Sequence, residues 1–402
     1  KTAFEMCFGA SLAGKRSVVT MKGVGLNVAL DSYLHAVLNG VNAGLVVILT
    51  EDLEGESSPE IQDSRPLIDV YGSLWLEPYS IQSAYDLAFQ SFEISEKIDM
   101  PVIIRLTNSI LRLGGGFRRK TKKKYLKRLD HRRNKYISDW KSRYDRLIAK
   151  NRVMLRYVSS LYSPESIITR KHDMGLVLVG YNPQYKADNA DMLQLFTYPF
   201  PDVLKNFIKD RTKVTVLEQG NPYAYQKVTN LTVDSSRLSA QKYSVPNNIG
   251  KWKIWNGQEK LFKALRSIKP SYVVGDEGTF TDESTKTINT CLCMGSSVGI
   301  TMGLAMNNVR FPFCVTGDTS FMFEGIHTLI EAKQRKLGFG VIVIDNGGAI
   351  STGGQKIIGD VYKIDSDIPQ IKIDYRKCTI SDMRSILAKV RLKNNLSVIY
   401  VK

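Results

Sequence analysis

Two apolar runs end on short oxygen-bearing side chains 28 residues apart: "FPFCVTGD" finishes on Asp318 and "GVIVIDN" on Asn346. The chain between them, "TSFMFEGIHTLIEAKQRK", has one helix's length and offers Phe323, Ile326, Leu329 and Ile330 as its apolar side. A strand, a covering helix and a parallel strand make a right-handed crossover, which brings both strand ends to one edge of a sheet. Open α/β sheets bind their ligands at that edge. A carboxylate and an amide meeting there offer hard oxygens to a magnesium ion, whose octahedron is usually shared with a phosphate-bearing ligand. The Gly-Gly turn after Asn346 lets a backbone carbonyl bend in as a third protein donor. The same residues also make ordinary loop caps, Asp at a helix start and Asn in a turn. Taken alone, the pair leaves both readings open.

The elements that must position this pair recur along the chain. Short β-branched runs at 17–21, 44–52, 101–107, 175–180, 214–220, 271–278, 311–318, 340–346 and 396–401 alternate with helix-length spacers. Continuous apolar strands between helices predict an α/β protein whose parallel sheets are covered on both faces. The 402 residues have room for two to four domains, and three blocks stand out, about 1–115, 165–240 and 250–402. No stretch approaches the roughly 18 apolar residues of a membrane span. The five cysteines form no CxxC pair and no even framework, which fits a reducing cytoplasm and argues against structural zinc or a four-cysteine cluster.

The net charge of +17 is concentrated: Arg118 to Arg152 holds sixteen Lys and Arg against three Asp, a net of +13. This segment reads as helical, with Tyr136, Trp140 and Tyr144 on one face and Leu147 nearby. The leading expectation is a linker that lays this stripe on the body and solvates its charges. Docking of an acidic protein is the second. Nucleic acid is not expected, since no nucleic-acid fold accompanies the charge.

The flanking residues carry more. "GDTSFMFEGIHTLIEA…VIVIDNGGAISTGGQ" resembles the thiamine-diphosphate motif of the 2-oxoacid:ferredoxin oxidoreductases. "VVTMKGVGLNVALD" (18–31), "TEDLEGESSPEIQDSRP" (50–66), "TYPFPDVLKNFIKDRTKVTVLEQGNPY" (197–223) and "INTCLCMGSSVGITMGLA" (288–305) are similar to the alpha subunit of the indolepyruvate branch of that family. The resemblance implies several parallel-sheet domains of the thiamine-diphosphate-binding, transketolase-like type. These would be a pyrimidine-type domain at 1–115, the basic linker at 116–164, a transketolase C-terminal-like domain at 165–240 and a diphosphate-type domain at 250–402. It implies oxidation of an arylpyruvate or other 2-oxoacid with coenzyme A to an acyl thioester, carbon dioxide and reduced ferredoxin. Thiamine diphosphate and Mg2+ would be the cofactors, in a cytoplasmic hetero-oligomer with a smaller beta subunit and without a membrane partner. Asp318, Asn346 and the carbonyl of Gly348 would hold magnesium. Gly317 and Thr319 would flank the diphosphate, and the Cys293-Met294-Gly295-Ser296 turn would line the cofactor. Lys22, Asn27, Ser57, Ser58 and Arg65 occupy motif positions expected to build the substrate pocket, with Lys22 or Arg65 pairing with the substrate carboxylate.

Four departures accompany the match. The family's catalytic glutamate is expected just before Lys1, outside the chain, and Glu5, one helical turn on, reads as structural. The family's iron–sulfur clusters have no ligands here, and its cysteine-rich C-terminal domain is expected beyond "LSVIYVK". "WNGQEKLF" (255–262) stands where the family has a Cys- and His-bearing stretch, and Gly23 and Glu56 stand at two family histidines. His35, His131, His172 and His327 read as surface or packed residues instead. Two alternatives follow: a catalytically silent relative that keeps the fold and its partner, or a non-oxidative 2-oxoacid decarboxylase.

Overall fold

The computed structural model describes the chain apart from residues 56–60, 122–124, 126, 133–135, 137–139, 163–166, 169–171, 181–188, 219–222, 232–256, 277–284, 350–353 and 358. Three sheets organise the described residues. The first runs Ser17–Lys22, Leu45–Glu51, Val102–Thr107, Leu74–Leu76 in parallel and ends on an antiparallel strand, Thr197–Tyr198. The second orders Ile167–Ile168, Asp191–Leu195, Met174–Val179 and Lys213–Leu217. The third has six parallel strands, in the order Thr290–Cys291, Val273–Gly275, Phe313–Gly317, Gly340–Ile344, Ser397–Val401 and Gln370–Ile373. In Gly340–Ile344 and Ser397–Val401 every residue is buried. That is why those runs read as unbroken apolar stretches rather than alternating ones.

The first and third sheets are joined through two helices, Thr2–Leu12 and Ser297–Met306. Their backbones meet because glycine is present at the crossing. A Cβ at Gly9 would lie 2.2 Å from the Ile300 carbonyl oxygen, and one at Gly303 would lie 2.1 Å from that of Met6. Phe4, Phe8, Val298 and Ile300 fill the seam within one continuous core cluster.

The helix after Asp318 departs from the expected phase. It starts as an α-turn over Asp318–Ser320, passes through a π-turn over Phe321–Gly325 and continues as Ile326–Gln334. One extra residue in the turn rotates everything beyond it. Phe321, Thr328, Leu329 and Ala332 face the core, whereas Phe323 is 69% and Ile330 44% exposed, correcting the stripe expected from spacing. The basic segment differs as well. Among its described residues the long helix begins only at Trp140 and runs to Ser160. Tyr136 is buried and Tyr144 exposed, so the aromatic stripe is split. The segment is nonetheless tied to the first block. The Asp130 N–H donates to the Leu12 carbonyl at 2.9 Å, and Lys150 Nζ donates to the carbonyls of Val37 and Leu38 at 3.3 Å each. No helix among the described residues is long and apolar enough to cross a membrane.

Candidate cofactor site

Phe313–Gly317 and Gly340–Ile344 are adjacent and parallel, with Gly317 in register with Ile344. Their carboxyl ends therefore deliver Asp318 and Asn346 to one spot. Asp318 is fully buried. Its Oδ2 accepts the backbone N–H groups of Asn346, Gly347 and Gly348 at 3.1, 2.7 and 3.1 Å. Its Oδ1 accepts the N–H of Thr319 at 2.6 Å and the Thr319 hydroxyl at 3.2 Å. Burial raises the Asp318 carboxyl above its ordinary range, opposed by the Gly347 and Thr319 hydrogen bonds.

The loop can point three successive N–H groups at one oxygen because two glycines take left-handed backbone, Gly347 at φ 85° and Gly348 at φ 154°. A Cβ at Gly348 would also sit 2.2 Å from the Gln355 carbonyl oxygen. The Ala349 N–H returns to that same carbonyl at 2.9 Å, closing the loop.

The donor set suits a small hard cation. One end of the Asn346 side-chain amide lies 3.2 Å from Asp318 Oδ2 and 2.9 Å from the Gly348 carbonyl oxygen; with its oxygen at that end, three oxygens face one another with no proton between them. Adjacent vertices of a magnesium octahedron are about 2.9 Å apart, given bonds of 2.0–2.1 Å. Turned over, the same amide would donate a hydrogen bond to both oxygens. Among the described residues no group of three His, Cys, Asp or Glu is placed to hold a metal. One carboxylate, one amide and one carbonyl is a different set, weak in charge, and it calls for anionic oxygens from a ligand.

The Cys293–Ser296 turn lies beside this region. The Ser296 hydroxyl accepts the Cys293 N–H at 3.1 Å and donates to the Cys293 carbonyl at 2.7 Å, closing the turn on itself. Gly295 has φ 81°, and a Cβ there would lie 2.9 Å from Glu324 Oε2. Lys1 Nζ donates to the Met294 carbonyl at 3.1 Å and to Glu324. The Met294 side chain is 45% exposed. The Cys293 thiol is held far above its ordinary value by burial and then by Glu5, so it is no nucleophile.

Two buried acids were missed or undervalued in the sequence. Asp276, at the end of the strand next to Phe313–Gly317, accepts the Ser297 N–H at 2.8 Å and the Thr316 hydroxyl at 2.5 Å. It thereby joins the helix behind the Cys293–Ser296 turn to the strand that ends on Asp318, and burial pushes it up to about 6. The signal was available, since "VVGDEG" repeats the strand-ending Gly-Asp of "VTGD".

Glu5 is completely buried; its Oε1 accepts the Ser32 hydroxyl at 2.7 Å and its Oε2 has no hydrogen-bond partner. Burial, then repulsion from Glu324, pushes its carboxyl up from 4.5 to about 8. Between those values the folded chain holds a proton that the unfolded chain has released. The stability this provides is complete below the unfolded value and is lost as pH rises toward about 8. Glu5→Gln cannot titrate, so it is expected to remove a slope of up to about 1.4 kcal/mol per pH unit across that window. Thermal unfolding at a series of pH values checks this; an unchanged slope would show that Glu5 is ionised in the fold.

Of the expected substrate residues, Lys22 and Asn27 both lie beside Gln62. Asn27 and Gln62 exchange amide hydrogen bonds at 2.8 and 3.0 Å. Lys22 lines a small depression with Glu51, Asp52 and Gln62. Ser57 and Ser58 lie outside the described residues. Arg65 is fully buried, with Nη2 2.5 Å from Asp63 and Nη1 2.7 Å from Glu218. Its guanidinium is a structural cation rather than an open strand-end group, which corrects the expectation that it pairs with a substrate carboxylate.

The fold is that of the thiamine-diphosphate-dependent enzymes. A thiamine diphosphate-dependent 4-hydroxybenzoylformate decarboxylase from Rhodococcus jostii RHA1 aligns over 100% of this chain and 90% of its own, with TM-score 0.54 and 13% identity. A benzoylformate decarboxylase from Polynucleobacter necessarius aligns over 99% and 89%, with TM-score 0.50 and 12% identity. Residues 276–380 match the family "Thiamine pyrophosphate enzyme, C-terminal TPP binding domain", a span that opens on Asp276 and contains Asp318 and Asn346.

Within that class, the chain is similar to proteins named indolepyruvate oxidoreductase subunit IorA. That of Archaeoglobus fulgidus is 26% identical, covering 90% of this chain and 68% of the relative. That of Methanothermobacter thermautotrophicus is 27% identical, covering 93% and 71%. The resemblance read from the motifs therefore extends over nearly the whole chain.

Proposed function

We propose that the chain is the thiamine-diphosphate-binding alpha subunit of an indolepyruvate oxidoreductase, working with a smaller companion subunit. The observation that carries this reading is the cluster of Asp318, Asn346 and Gly348 oxygens at the carboxyl edge of the third sheet. Those three groups would hold Mg2+, and Gly317 and Thr319 would border the diphosphate. Thiamine diphosphate bound there supplies the electron sink that decarboxylation of a 2-oxoacid requires.

The rest of the work falls to this chain's own residues. Asp276 holds the helix behind the Cys293–Ser296 turn, and Lys1 and Glu324 hold the turn from its other side. Apolar packing of Phe4, Phe8, Val298 and Ile300 keeps water out of the seam behind it. The proton on Glu5 keeps a buried carboxyl neutral beside Ser32 and Cys293. Ferredoxin as electron acceptor, coenzyme A as acyl acceptor and an arylpyruvate as substrate follow from the resemblance and the relatives' names. Iron–sulfur clusters would then be supplied by groups other than the described cysteines.

The purified chain with its companion subunit is expected to reduce ferredoxin or a viologen dye when given indolepyruvate, coenzyme A, thiamine diphosphate and Mg2+. Absence of reduction with aryl, aliphatic and acidic 2-oxoacids, despite bound cofactor, would refute the activity. Aldehyde release without an electron acceptor would identify a decarboxylase instead.

A further inference from the structure

A cavity of about 710 Å³ opens at the amino-terminal ends of the six-stranded sheet, the edge opposite Asp318 and Asn346. One wall is the end of the helix Gln258–Ser267 and the residues after it. Another is the last turns of Ile380–Lys393, and a third is the lead-in to Phe313–Gly317. Four cations line it, Lys269, Arg310, Arg384 and Arg391, and no carboxylate does. Arg391 is spent on shape, its Nη1 donating to the carbonyls of Ile268 at 2.5 Å and Lys269 at 3.1 Å. The other three are exposed and form no ion pair among the described residues.

Two further observations mark the cavity. Of seven non-glycine residues with left-handed backbone among those described, three line it: Lys269 at φ 48°, Phe311 at φ 42° and Asn394 at φ 52°. Lys269 and Asn394 follow helix ends, where such residues are a common stop. Phe311 does not, and a bulky side chain held there is strained; such strain collects at ligand sites. Leu392, on the rim, is 83% exposed and offers the cavity an apolar surface.

The volume suits a small molecule. Three cations without an acidic neighbour suit a polyanion, and guanidinium forks match phosphate oxygens two at a time. The geometry points to a binding site for a phosphorylated nucleotide, with its phosphates on Arg310, Arg384 and Lys269 and its flat base against Leu392. This site is separate from the cofactor edge and does not depend on the proposed activity.

Calorimetric titration of ATP into the full chain tests it, both alone and saturated with thiamine diphosphate and Mg2+, with pyrophosphate and adenosine as separate arms. One ATP per chain is expected under both conditions, pyrophosphate binding more weakly and adenosine giving no measurable heat. Arg310→Glu with Arg384→Glu is expected to weaken ATP about tenfold or more while leaving thiamine diphosphate binding and the circular dichroism spectrum unchanged. If that double variant misfolds, Arg384→Ala gives the same reading with a smaller loss. Absence of ATP binding, equal binding by the arginine variants, or displacement of ATP by thiamine diphosphate would overturn the site. Pyrophosphate binding as tightly as ATP would overturn the nucleotide assignment. Asp318→Ala is expected to bind ATP normally, so failure here and failure of the cofactor reading are distinguishable.

Discussion

Asp318→Ala is expected to weaken thiamine diphosphate binding by about a hundredfold or more. The magnitude follows from two losses at one position. Asp318 is the sole carboxylate in the oxygen cluster, so alanine leaves a divalent ion with only an amide and a carbonyl from the protein. Asp318 also accepts five hydrogen bonds, three of them from the 346–348 backbone. Without it that loop loses the anchor that sets the other two donors. Asp318→Asn separates the two effects. It preserves volume but turns an amide NH2 toward the three backbone N–H groups of 346–348, so loop order and metal affinity should fall together. Titration of the cofactor in saturating Mg2+ checks both variants, and unchanged affinity in Asp318→Ala would remove this residue from the metal site.

Arg105→Ala is expected to cost about 3–5 kcal/mol of folding stability, the range for removing one partner from a buried ion network. Arg105 is fully buried in the strand Val102–Thr107. Its Nε donates to Glu51 at 2.6 Å and its Nη1 to Glu77 at 2.8 Å, and its Nη2 is 3.6 Å from Asp63. Burial acts to strip its charge, yet Glu77 and Glu51 hold it firmly protonated. Arg65 continues the network from Asp63 to Glu218, and the Tyr198 hydroxyl donates to Glu77 at 2.7 Å. The carboxylates outnumber the guanidinium groups in this cluster, so loss of either arginine leaves buried anions uncompensated. Because Glu218 also caps the helix Tyr223–Leu231 by accepting the N–H groups of Ala224 and Tyr225, the damage should spread from the first sheet to the second. Arg105→Lys keeps the charge but not the fork and should fall between. Urea unfolding gives the measurement; a change under about 1 kcal/mol would show that the network is no more than a solvated ion pair.

The strands that build both sheet edges were legible because each is an unbroken β-branched run bounded by turn residues. The short strands were not. "LWL" at 74–76 and "QIKI" at 370–373 are too brief for a period to show, and "DMLQL" at 191–195 alternates too weakly. The meeting of Asp318 with Asn346 followed from topology alone, since parallel neighbours joined by one crossover helix must end together. The phase of that helix could not follow, because a π-turn leaves no mark in an apolar count. Arg105 could have been weighed differently, since an arginine inside "PVIIRLT" has to find carboxylates. Which carboxylates it finds, Glu51, Glu77 and Asp63, depends on three separate segments meeting. The burial of Glu5 was hidden for a similar reason. Its own helix gives no hint that Gly299 of the distant helix Ser297–Met306 closes over it, with a Cβ there 2.5 Å from Oε2.

Calorimetric titration of thiamine diphosphate with and without Mg2+ tests the oxygen cluster most directly. The structure predicts one cofactor per chain, bound only when the divalent ion is present and weakened in Asn346→Ala as well as in Asp318→Ala. Binding of equal strength in excess chelator, or no binding of the cofactor at any metal concentration, would contradict it.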